Sequence, residues 1–258
     1  MGEAKRRKAT GKGTLYDLAI RDRLVRHAFK LTCAALDHSG DDFAGAVRSF
    51  YSGRNFSFDA QAAHLSPAAV GCRKGCHACC HQMVICYPFE VFPLAAVLSA
   101  RAPVDLAPTL AAFHAQLDLP LTPAARYGLR FPCPLLSAGR CSVYDVRPMA
   151  CRALYSASRE ACDNALAGLG GDVPYIVEPS VMAAAFNQGI ASAIHKKRGL
   201  DIEFVEMGGA LLTALADVDA AFELWQRGGT PFSAFRVCAP DVPSQAELAD
   251  RLIARLSL

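Results

Sequence analysis

The stretch CRKGCHACC, residues 72–80, puts Cys72, Cys76, Cys79 and Cys80 within nine residues. A second wave follows at Cys133, Cys141, Cys151 and Cys162. Two sets of four thiols are metal-ligand arithmetic, because thiolates bind soft or borderline metals and a CxxC turn lets two sulfurs converge on one tetrahedral ion. Cys72 and Cys76 stand four apart and would share a helix face, while Cys76 and Cys79 form a CxxC unit, so three sulfurs can meet at one site. Adjacent Cys79 and Cys80 would not easily both ligate one mononuclear ion. One of them should turn to a second metal, to another iron of the same cluster, or to the core. All eight cysteines are candidate metal ligands. Cys33, Cys86 and Cys238 are read instead as ordinary thiols, since free cysteine behaves as a small buried hydrophobe.

Outside the cysteines, composition narrows the class. The chain has 258 residues and 52% apolar residues, enough to bury a substantial core without a metal to compensate for small size. No stretch approaches the 18 or so apolar residues that a membrane helix needs. The start, MGEAKRRKATGKG, is basic but lacks the apolar segment of a secretory signal. The expectation is therefore a cytoplasmic protein whose eleven cysteines stay reduced, a setting in which such spacings mark metal sites rather than disulfides. Charge is concentrated at Lys5, Arg6, Arg7, Lys8 and Lys12. Residues 1–12 are expected to be a flexible basic tail, the one place where nucleic acid could be touched through phosphate contacts. Residues 13–258 are expected to be a single cysteine-cluster domain with its motif core at 72–162.

Local patterns are mainly helical. Leu15, Leu18, Ala19, Val25, Ala28, Phe29, Thr32 and Leu36 recur at helical spacing from Thr14 to about His38. Further helices are expected over 41–52, 57–65 and from Pro88 to Arg101, where Glu90 complements the positive end of a helix packed behind the cluster. Two short helices are expected between 103 and 131, and others over 180–197 and 208–226. A last one runs from Ser244 to Leu256, with Glu247 completing a capping box. Leu135 and Leu136, a turn at Ser137 to Gly139, and Cys141 to Tyr144 look like a hairpin, and Arg147 and Pro148 open the helix after it. Residues 173–177 look extended, and 202–205 fit either class. The fold class is mainly α: a compact helical domain with a cysteine-rich metal-binding region and a short β-hairpin.

At CRKGCHACC and FPCPLLSAGRCSVYDVRPMACR, residues 131–152, the chain resembles the YkgJ-like cysteine-cluster family, described as zinc- or iron-chelating and named for a CxxCxxCC pattern. The resemblance covers roughly 72–162. It implies that Cys72, Cys76, Cys79, Cys80, Cys133, Cys141 and Cys151 are the motif cysteines and Cys162 a later, more variable one. Two departures are visible: the first gap is CxxxC rather than CxxC, and Cys86 is additional. The region is also reminiscent of the cysteine cluster of flagellin lysine N-methylases, which implies an iron-sulfur centre and a protein methyltransferase as the alternative function.

The leading expectation is a metal-binding protein holding zinc or an iron-sulfur centre, its partner a metal ion and its role unread. CxxxCxxC also coincides with the radical S-adenosylmethionine spacing, but Ala78 stands where those enzymes place an aromatic, and no repeated strand-helix units accompany it. His77 and His81 could ligate zinc or donate to sulfur. Arg147 and Arg152 could soften a multi-thiolate charge, bind an anion, or pair with Asp145. Glu90 could be a ligand, a base or a helix cap. The sequence holds no Ser-His-Asp constellation, P-loop or GxGxxG fingerprint.

Overall fold

The computed structural model describes residues 18–38, 45, 69–73, 75–100, 106–117, 131–238 and 241–258. The basic tail and the helices expected over 41–52 and 57–65 lie outside them, Gly45 apart, as does the second of the two helices expected before 131. The first helices are α1 (Leu18–His38), α2 (Pro88–Ser99) and α3 (Ala107–Leu117). Then come α4 (Met149–Arg152), α5 (Arg159–Leu166) and α6 (Val177–Arg198). The chain ends with α7 (Met207–Ala216), α8 (Val218–Gln226) and α9 (Gln245–Leu256). Short antiparallel pairs stitch them together: β1 (Ile85–Cys86) with β6 (Val205–Glu206), β2 (Leu136–Ser137) with β3 (Arg140–Cys141), and β4 (Tyr155–Ser156) with β5 (Tyr175–Ile176). The fold is mainly α, with a two-residue-turn hairpin where one was expected.

The apolar stripe of the first segment does what its spacing requires, burying Val25, Ala28, Phe29, Thr32 and Leu36, while Leu18 and Ala19 stay exposed. Its chief partner is α6. The two backbones approach so closely that a Cβ at Gly189 would lie 2.5 Å from the Val25 carbonyl oxygen, a contact only glycine accommodates.

Helix α2 starts with Pro at its first position and buries Phe89, Val91, Phe92, Leu94 and Ala95. Its long apolar face packs on α7 and α8, in a core that includes Trp225 and Phe232. It meets the cluster region at its N-terminal end, through Glu90 and the turn at residues 144–146, rather than lying behind the cluster along its length.

The single helix expected over 208–226 is two. Asp217 leaves helical geometry at φ −160° and its Oδ1 accepts from Ala220 N–H at 2.9 Å, capping α8. Apolar periodicity runs through this break, and the side-chain cap makes it. Ahead of α7, buried Glu206 accepts from Gly208 and Gly209 N–H at 2.7 Å each. The last helix has its capping box: Ser244 Oγ accepts from Glu247 N–H and Glu247 Oε2 from Ser244 N–H.

Candidate metal centre

Cys72 is positioned by the residue before it. Gly71 N–H donates to the Ser156 carbonyl at 2.8 Å, laying 71–72 along β4. A Cβ at Gly71 would stand 2.6 Å from Arg159 N and 2.9 Å from Ala157 C, both backbone atoms. Seated there, the Cys72 Sγ accepts from Ser156 N–H at 3.4 Å. Amide donation of this kind stabilises a thiolate and orients it for metal. Replacing Gly71 by Ala should cost about 1–3 kcal/mol or more as an overpacking change against backbone that cannot swing aside. Urea melts of the two proteins check this, and equal stability would mean that the 71–72 segment moves freely away from β4.

The rest of the first quartet follows in a tight turn. Cys76 N–H donates to the Arg73 carbonyl at 2.9 Å, Cys80 N–H to the His77 carbonyl at 2.8 Å, and residues 78–81 wind as a short 3-10 segment. The neighbouring Cys80 side chain, followed by burial, raises the Cys79 thiol well above its ordinary range.

The second wave arrives on a hairpin anchored to the first. Cys133 N–H donates to the Cys80 carbonyl at 2.7 Å, Leu136 N–H to the Cys133 carbonyl at 2.9 Å, and Leu136 pairs with Cys141 across the strands. Ala138 and Gly139 both have positive φ, as two-residue hairpin turns require. The return strand stops at Cys141 rather than running to Tyr144. Residues 144–146 coil so that their carbonyls face Arg152, whose Nη2 donates to Asp145 O at 2.7 Å and Tyr144 O at 3.4 Å. Arg152, 3% exposed, thus fixes the loop before Cys151 through its backbone. Arg147 stacks over the Tyr144 ring at 3.6 Å and its charge favours the thiolates of Cys79 and Cys151.

Glu90 is a structural acceptor, 1% exposed. Its carboxyl oxygens accept from Tyr87 N–H at 3.2 Å, Met149 N–H at 2.9 Å and Asn187 Nδ2 at 3.2 Å, joining α2, α4 and α6. Since Met149 opens α4 and Cys151 lies on it, Glu90 sets where that cysteine sits.

Four of the eight cysteines line one cleft. Cys72, Cys76, Cys79 and Cys162 face a space of about 460 Å³, counting its opening to solvent. Tyr155, Leu166, Val173 and Tyr175 form much of its other wall. Cys162 comes from α5, capped by Ser158 Oγ accepting from Ala161 N–H at 3.1 Å, and that helix packs on the 78–81 turn. Cys133, Cys141 and Cys151 pack instead against the principal core. Burial pushes the Cys133 thiol up to about 11. Cys151 is raised further, by burial first and then by Cys133, Cys141 and Cys79. Burial also raises Cys72, against the opposing Ser156 hydrogen bond, with Cys76, Cys79 and Cys162 adding to the rise.

The donor chemistry fits zinc or iron: thiols from two separated stretches, an amide donated to sulfur, and a cation beside two of the sulfurs. Among the described residues, no three His, Cys, Asp or Glu side chains are already disposed to hold one ion. The thiols are gathered without being closed around a point. Metal uptake would draw them together and release their protons.

His77 packs on the hairpin turn, and its buried Nδ1 finds no hydrogen-bond partner among the described residues. His81 Nδ1 lies 3.1 Å from the His77 carbonyl. Cys86 is buried in the core, Cys33 is half-buried on α1, and Cys238 is exposed. None of the three lines the cleft. Sequence reasoning did not single out Gly71 or Ser156; a glycine directly before the first cysteine was the available signal.

No curated protein and no solved structure matches the chain. A family model does, and it covers both the 72–80 cluster and the hairpin, helix and cleft cysteines after it. Over residues 71–166 the chain matches the CxxCxxCC family, described as "Putative zinc- or iron-chelating domain".

Proposed function

We propose that this is a metal-binding cysteine-cluster protein of the cytoplasm, holding zinc or an iron-sulfur centre on Cys72, Cys76, Cys79, Cys80, Cys133, Cys141, Cys151 and Cys162. The observation that carries the reading is the convergence of Cys72, Cys76 and Cys79 with Cys162, from a different part of the chain, on one cleft. The Cys133-to-Cys80 backbone bond, which ties the second cysteine stretch to the first, supports the same reading. Ordinary core thiols have no reason to gather so, whereas a soft metal needs several sulfurs from separated segments. The family match speaks to chelation and does not reach the methyltransferase alternative. Among the described residues, no helix is long and apolar enough to cross a membrane.

The deciding experiment is anaerobic purification followed by elemental analysis, sulfide assay and visible spectroscopy. Iron with acid-labile sulfide identifies a cluster, and zinc without colour identifies a thiolate zinc site. Well-folded protein carrying neither metal overturns the proposal.

A further inference from the structure

Resting on that metal-binding reading, we propose that His77 is itself a ligand of the bound metal, through Nδ1. The centre then has a mixed nitrogen and sulfur shell rather than one of sulfur alone.

The first support is an unanswered atom. His77 Nδ1 is shut off from solvent and has no hydrogen-bond partner among the described residues. A buried polar atom in that state has lost its hydration without compensation, and native proteins leave few of them. His81, four residues on, makes the contrast: its Nδ1 lies 3.1 Å from the His77 carbonyl, so the backbone satisfies it. The two rings pack with centroids 5.6 Å apart, yet only the first leaves this nitrogen open.

The second support is where the ring sits. His77 stands in the chain between Cys76 and Cys79, and its Cδ2–Nε2 edge lies against the hairpin turn. A Cβ on Gly139 would be 3.4 Å from Cδ2 and 3.8 Å from Nε2. That hairpin carries Cys141, and Cys133 just before it donates its amide to the Cys80 carbonyl. The imidazole is thus held between the two cysteine-bearing stretches, with Nδ1 on the other side of the ring from the turn.

Neutral imidazole is an ordinary partner of thiolates around zinc or iron. It also relieves charge. After burial, neighbouring thiols raise both Cys72 and Cys151, and a neutral nitrogen in place of one thiolate lessens that mutual repulsion. With metal on Nδ1 the ring proton is carried by Nε2, on the side of the hairpin turn.

Reduced, metal-free full-length protein is loaded anaerobically with Zn²⁺, and zinc X-ray absorption reads the ligand shell. Wild type and H81A should show imidazole scattering beside that of sulfur. H77Q and H77A should lose the imidazole scattering, and their zinc affinity, measured against a competing chelator, should fall by about 100-fold or more, above the range usual for loss of an outer-shell partner. Circular dichroism checks that each variant is folded, and Gln keeps a polar side chain of similar size where Ala leaves a gap. An all-sulfur shell in the wild type overturns the proposal without any variant. So does imidazole scattering that survives in H77Q. Folded wild type that takes up no Zn²⁺ rejects the metal-binding reading itself, a result distinct from both.

Discussion

Replacing Glu90 by Ala should destabilise the protein by about 4 kcal/mol or more, since each buried donor left without an acceptor costs roughly 1–3 kcal/mol. Three such donors face this one side chain: the amides of Tyr87 and Met149 and the Asn187 carboxamide. Their elements are distant in sequence, so the loss falls on the junction of α2, α4 and α6 rather than on one helix cap. Glu90→Gln tests the chemistry more narrowly. It keeps the volume and one acceptor oxygen but turns an NH₂ toward groups that are themselves donors, so it should fall between wild type and Ala. Urea unfolding of the three proteins, prepared in the same metal state, gives the comparison. A cost below about 1 kcal/mol for the Ala variant would show that water takes over the carboxyl's bonds. The effect should reach the cysteines, because Met149 N–H begins the helix that carries Cys151 and its release would loosen that sulfur.

Glu90 shows what a sequence makes legible. Position three of a helix opened by Pro88 announces a cap, and the cap is there; the reach to Met149 and Asn187 needs the tertiary structure. The same division recurs at the cluster. Thiol spacing and the Leu136–Cys141 turn pattern are local, so the cysteine waves and the hairpin could be read directly. That Cys162 faces the cleft while Cys151 packs on the core depends on β4 meeting β5 and on Gly71 fitting against β4, pairings between short strands that no periodicity marks. Asp217 gives the opposite case. Its capping side chain was present in the sequence but was outweighed by an apolar pattern that runs on across the break. Arg152 beside a multi-thiol cluster suggested charge compensation, and burial sends its guanidinium to the Tyr144 and Asp145 carbonyls instead. Neighbouring Arg147 keeps the electrostatic role toward sulfur.

Cys76→Ser and Cys79→Ser should each strip most of the metal and destabilise the cluster region, while Cys33→Ser and Cys238→Ser leave metal content near wild type. Serine keeps the size and loses the ligand: its hydroxyl stays protonated where a thiol ionises, and its oxygen is a harder donor than soft or borderline metals prefer. Structural zinc in small peptides contributes about 10–16 kcal/mol, an upper comparison for a chain that already has a large apolar core. The cost here should be a fraction of that, concentrated where the metal ties 72–80 to α5 and the hairpin. Cys79 should be the more severe of the two, because it lines the cleft, stands next to Cys80 in the chain and acts electrostatically on Cys151. Cys33 and Cys238 are suitable controls: one is half-buried on α1, the other exposed, and neither lines the cleft. Elemental analysis of the four variants, each purified anaerobically and paired with its thermal melt, reads both effects at once. Equal metal loss across all four would mean that metal follows general folding rather than these sulfurs, and the division between ligands and ordinary thiols would fall.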